Sequence, residues 1–116
     1  MPFFVTDEIQ PIELFPGTLS QLISGERLML SWLQMQQGAV VPEHSHPHEQ
    51  AGFVVEGRIR FRIGDEERLL LPGHAFVVPS GTLHAVEVVE GPARVLDIFS
   101  PPREDYLTKQ ASESPA

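Results

Sequence analysis

Arg58-Ile59-Arg60-Phe61-Arg62-Ile63 alternates charged and apolar residues without a fault. Successive residues of a strand face opposite sides, so this pattern fits a β-strand and not a helix with its period of about 3.6 residues. Ile59, Phe61 and Ile63 are expected to pack inward. The three arginines then form a half-exposed face, which is a commoner origin for such a row than an anion-binding stripe. Working outward, residues 28–35, 51–56, 75–78, 84–89 and 94–99 are equally short and rich in β-branched or aromatic side chains, and each reads as a strand. Glu56-Gly57 and Gly64-Asp65 lie between such runs and are expected to be hairpin turns joining antiparallel neighbours. Nine glycines and eleven prolines punctuate the 116 residues and leave helices little room. Many short strands at this spacing predict an all-β sandwich or barrel. The polar end Lys109-Gln110-Ala111-Ser112-Glu113-Ser114-Pro115-Ala116 has nothing to bury, so a single domain is expected over residues 1–108, with disorder over 109–116.

Composition narrows the function. The chain carries 8 Lys+Arg against 16 Asp+Glu, a formal charge of −8, and no basic run able to displace phosphate counterions, which argues against a nucleic-acid partner. The longest apolar run is four residues, far short of the roughly 20 needed to cross a bilayer, and no membrane span is expected. The opening residues show no secretory pattern, which predicts a cytoplasmic protein. Without cysteine, any metal must be held by histidine, carboxylate or amide.

Three of the five histidines, His44, His46 and His48, stand within five residues, and His84 lies some forty residues on. Residues two apart on an extended chain share a face, so His44 and His46 can meet one metal ion, and Gln50 has the same parity. A strand opened by the turn Pro79-Ser80-Gly81 can bring His84 to the same point. Such N and O donors suit Zn, Ni, Mn or Fe. A lone His-x-His is about as often a pair of solvated loop histidines. Glu49 has the wrong parity, His48 reads as a solvated neighbour, and His74, after Pro72-Gly73, as a turn residue.

The glycine, proline and histidine positions carry more than the histidines alone. Gly38, His44, His46, Gln50 and Gly57 (residues 38–57) resemble the first motif of the cupin superfamily, and Gly73, Pro79, Gly81 and His84 (73–88) the second. The resemblance implies a single-domain, RmlC-like jelly-roll β-barrel of two antiparallel sheets, commonly a homodimer, with one divalent metal ion inside. Gln50 stands where the family usually has a glutamate ligand, and Val88 where the second motif often has asparagine. Three neutral imidazoles and an amide would leave the ion's charge uncompensated, favouring Lewis acidity and an anionic substrate over oxygen activation.

Beyond the motifs, Val95, Asp97 and Phe99 share one face of a strand, and an aspartate on an inner face would sit in a partly desolvated pocket. Pro101-Pro102 stiffens a turn that can return Arg103 over the barrel mouth, although pairing with Glu104 or Asp105 at the surface is the commoner fate of such an arginine. The run His44 to Gln50, together with Asp97-Ile98-Phe99-Ser100-Pro101-Pro102-Arg103-Glu104-Asp105, resembles the KdgF pectin-degradation family within the cupins. That resemblance implies metal ligands His44, His46, Gln50 and His84, and a catalytic group of Asp97, Phe99 and Arg103. It also implies a small anionic sugar-acid substrate: a 4,5-unsaturated uronate monomer from pectin or alginate breakdown, opened to a linear keto sugar acid. A metal-dependent dioxygenase or isomerase-type cupin, and a non-catalytic sugar-acid binding module, are the competing expectations. Oxygen uptake, or recovery of unchanged ligand, would reveal them. Trp32 is expected either in the core or at the pocket, and Phe3-Phe4-Val5 as an edge strand across a dimer interface.

Overall fold

The alternation at residues 58–63 is the far half of a 15-residue strand. Every run read above as extended lies, to within one residue, in a strand of the computed structural model, which describes residues 2–113. Among the described residues the strands are β1 (Ile12–Phe15), β2 (Thr18–Ser24), β3 (Met29–Met35), β4 (Val40–His44), β5 (Glu49–Ile63), β6 (Glu66–Leu70), β7 (Ala75–Val78) and β8 (His84–Ser100). Helix α1 (Glu104–Glu113) follows them. All strand pairs are antiparallel, and β5 and β8 are long enough to belong to two layers. One layer runs β1-β2-β3-β8-β5-β7, using residues 93–99 of β8 and 50–54 of β5. The other runs β4-β8-β5-β6, using residues 84–90 of β8 and 58–63 of β5. The result is a jelly-roll barrel of two antiparallel sheets, closed around Val54, Ile59, Phe61, Val78, Val88 and Val95.

Two expected breaks are therefore bends within continuous strands. The hairpin foreseen at Glu56-Gly57 is absent, because β5 runs through it with register shifts between Val54 and Ile59. Gly57 has φ +83°, and a Cβ there would stand 2.7 Å from the Pro92 carbonyl oxygen and 2.8 Å from Ala93 Cα. A glycine suits both a turn and a bulged corner where two strands cross closely, so residue type alone did not separate them. Residues 84–89 and 94–99 likewise form one strand, and Gly64-Asp65 is the hairpin expected. Strands β1, β2, β4 and β6 were not anticipated.

The disorder expected from residue 109 is corrected as far as 113, because α1 reaches that position; 114–116 lie outside the described residues. The helix is anchored by Tyr106 and Leu107 against the cluster of Ile12, Leu22, Met29 and Phe99. Its first turn carries Glu104 and Asp105, favourable at the positive end of the helix dipole, and Lys109 pairs with Glu113 at 2.9 Å. Phe3, Phe4 and Val5 form no strand here and are exposed.

Candidate metal centre and cavity

His44 ends β4, directly across from His84 at the start of β8. His46 lies in the bend that follows β4, so it reaches the same point through a loop and not by the strand alternation expected from sequence. Gln50, the second residue of β5, faces inward at 5% exposure while Glu49 faces out. One ring nitrogen from each of His44, His46 and His84 falls within 4.8 Å of the others.

The tautomers follow from the backbone. His44 Nδ1 lies 2.9 Å from the Pro42 carbonyl oxygen, His46 Nδ1 3.1 Å from that of His48, and His84 Nδ1 2.8 Å from that of Thr82. A carbonyl can only accept, so each Nδ1 carries the proton and each Nε2 presents a lone pair. Donation of the second ring N–H to a backbone carbonyl is how metal-binding histidines are oriented. His84 Nε2 is buried without a partner. His46 Nε2 faces Gln50 Oε1 at 3.2 Å, an approach of two acceptors that needs a cation or a proton between them. Burial holds the His46 imidazolium form down to a pKa of about 4, helped by the charges of Arg103, His84 and His44 and opposed by Gln50. His84 is also lowered, first by burial. Neutral imidazoles with free Nε2 lone pairs fit a divalent ion, with Gln50 Oε1 beside them as a neutral oxygen donor.

His44, Gln50 and His84 line a pocket of about 520 Å³ of empty space, open solvent at its mouth included, together with Asp97, Phe99, Arg103 and Tyr106, and His46 stands beside His44 and His84. Asp97 is on the inner face of β8, 7% exposed, with Oδ1 unpartnered. Burial pushes its carboxyl up to about 7, against the pull of the Gln50 side chain and the Arg103 charge. In the ladder Asp97 lies between Ser31 and Gly52. A Cβ on Gly52 would stand 2.1 Å from the Phe76 ring and 2.7 Å from Asp97 Oδ1, so the glycine makes the space both side chains occupy. The sequence reading passed over Gly52, although a glycine inside a strand marks a close approach of this kind.

Arg103 is buried, and here the two readings of its sequence context coincide. It lines the cavity and also pairs with Asp105, Nε to Oδ1 at 3.0 Å and Nη2 to Oδ2 at 2.8 Å. Tyr106, unforeseen from sequence, stacks on the guanidinium at 4.0 Å. His48 stands outside the histidine triad, its ring 5.4 Å from that of His46, and His74 accepts from Leu71 N–H in its turn. Arg58, Arg60 and Arg62 lie on the outer surface, paired with Glu90, Glu87 and Glu43. Trp32 also faces outward, opposite Leu96 on β8.

The barrel and its histidine triad define a class, and residues 31–99 match the family model described as "Cupin domain": the chain belongs to the cupin family. Within it, the chain is 31% identical over 107 residues to the pectin degradation protein KdgF of Dickeya dadantii, an alignment covering 90% of this chain and 97% of that protein. The solved structure of KdgF from Halomonas sp. superposes with a TM-score of 0.85 at 34% identity, covering 91% of this chain and 98% of that one. An RmlC-like cupin from Shewanella frigidimarina gives a TM-score of 0.86 at 27% identity, covering 91% and 96%. Among the described residues no helix is long and apolar enough to cross a membrane.

Proposed function

We propose that this cupin opens the ring of 4,5-unsaturated uronate monomers released from pectin or alginate, giving linear keto sugar acids. The observation that carries the reading is the convergence of three Nδ1-pinned histidines, two of which line one cavity with Gln50, Asp97 and Arg103. The likeness to KdgF, a pectin degradation protein, supports it.

His44, His46, His84 and Gln50 would hold the divalent ion, which supplies Lewis acidity toward a substrate oxygen when bound. The substrate is an enol ether bearing a carboxylate. In its opening, the C1 hydroxyl loses a proton and C1 becomes a carbonyl as the bond from C1 to the ring oxygen breaks, and the freed oxygen takes up a proton to become an enol hydroxyl. The freed enol then gains a proton at C4 and loses its hydroxyl proton, so nothing is added or removed overall. Arg103 holds the carboxylate, Asp97 accepts and returns the proton, and Phe99 walls the site against water. Asp97 suits the task because its free Oδ1 lies inside the cavity within the field of Arg103.

The test follows the ultraviolet absorbance of unsaturated galacturonate, guluronate or mannuronate monomers, with metal content measured in parallel. Loss of absorbance should be faster with protein and return to the spontaneous rate with chelator; the same rate with and without protein overturns the proposal. The reading extends to a homodimer, supported by the exposed apolar side chains Phe53, Val55, Val77 and Ile98 on the outer face of one layer.

A further inference from the structure

Arg103 is an unusual arginine for a chain this small. Its side chain is 8% exposed, yet the carboxylate that pairs with it, Asp105, is 60% exposed. The pair is side-on: Asp105 takes Nε and Nη2 and leaves Nη1 buried with no partner. One face of the guanidinium is covered by Tyr106 at 4.0 Å, and the Phe99 ring lies 5.1 Å from its centre. Tyr106 is itself locked, packed against Phe99 at 5.7 Å within the cluster that anchors α1. The guanidinium is thus held on one edge by Asp105 and stands against two adjoining rings. Only the edge bearing Nη1 remains, on a residue that lines the cavity. An unpaired N–H donor buried in protein is unfavourable, and a ligand supplying the missing acceptor removes that penalty.

We propose that Asp105 is a positioning residue: it grips one edge of Arg103, with Tyr106 backing the ring face, so that Nη1 stands fixed as the donor for the carboxylate of an acidic ligand. The proposal rests on the reading of the cavity as a sugar-acid site. It assigns the first turn of α1, outside the residues matched by the family model, to substrate recognition. A guanidinium fork forms two parallel bonds only in a fixed plane, so orientation should matter more than net charge here.

The two effects of Asp105 on an anion have opposite signs, and this makes the proposal testable. As a bare negative charge it repels the ligand; as a positioner it helps. Metal-loaded protein is titrated calorimetrically with D-galacturonate and, as a neutral probe, methyl galactoside. Asp105→Asn should weaken galacturonate binding about tenfold, the scale on which outer partners act. Metal content and methyl galactoside binding should stay unchanged, and in the uronate assay KM should rise with little change in kcat. Asp105→Ser, which keeps a polar cap for the first helical turn, serves should Asp105→Asn fail to fold. Equal or tighter galacturonate binding in these folded variants overturns the positioning role while the site itself stands. If the wild type does not bind galacturonate, or Arg103→Gln binds it as well as the wild type does, the sugar-acid reading fails and the proposal with it.

Discussion

The two halves of the β5/β8 ladder are patterned differently. Where residues 58–63 meet 84–90, the inner face is Ile59, Phe61 and Val88, and the outer face is a row of ion pairs, Arg58 with Glu90 and Arg60 with Glu87. This is the ordinary arrangement of a sheet with one wet side. Where residues 49–54 meet 95–100, the inner face carries Gln50 and Asp97, while Phe53 and Ile98 stand exposed outside at 45% and 37%. Across the bend at Gly57 the same two strands thus keep apolar Val54, Val95 and Phe99 inside but add Gln50 and Asp97 beside them, and expose apolar side chains outside. Burying a carboxylate and an amide where aliphatic side chains would pack is costly, and exposing a phenyl ring on a flat sheet is an aggregation hazard. Both departures fall in the half that carries Gln50 and Asp97, while the other half contributes His84, Ile59 and Phe61 to the same cavity.

The contrast can be tested at both ends. The largest effect is expected from His84→Ala, which removes one of the three converging imidazoles. Metal analysis should show loss of the ion, and uronate ring opening should slow about 10³-fold. Asp97→Asn should cut turnover of the loaded protein about 10²-fold. In chelated protein the same substitution should stabilise the fold at pH 8. Burial pushes the Asp97 carboxyl up to about 7 in the fold from its ordinary 3.8, so its contribution is full below 3.8 and is lost as pH rises through 7. The asparagine variant lacks that loss, and denaturant unfolding should show a gain on the order of 3 kcal/mol at pH 8 that vanishes near pH 3.5. Gly52→Ala forces a methyl against Phe76 and Asp97 and should lower stability by about 1–3 kcal/mol in thermal unfolding. The smallest effects distinguish the outer faces. Phe53→Lys should shift the molar mass in light scattering from dimer toward monomer, whereas Arg60→Gln should change neither mass nor stability by more than about 0.5 kcal/mol. Equal responses at these two positions would erase the contrast.

Local pattern made the strands legible. Alternation at 58–63 and β-branched runs elsewhere located the inner and outer faces, and the spacing of His44, His46 and His84 pointed to the three histidines that converge. The reason offered for His46 was the wrong one, because a bend and not strand alternation delivers it. Gly52 and Tyr106 carried no local signal strong enough to be singled out: one matters through the volume it leaves, the other through a ring it stacks upon. Helix α1 was missed because its own sequence is polar, and Tyr106 and Leu107 are the apolar side chains that dock it on the barrel.

What the chain alone determined, then, was period, residue chemistry and the order of motifs, since these depend on neighbours a few residues apart. Tertiary structure decided which glycine turned a hairpin and which bent a strand, which polar residues were buried, and how Arg103 came to be both paired and turned to the cavity. Those outcomes depend on packing between segments distant in sequence, and no local pattern records the space that a far strand will fill.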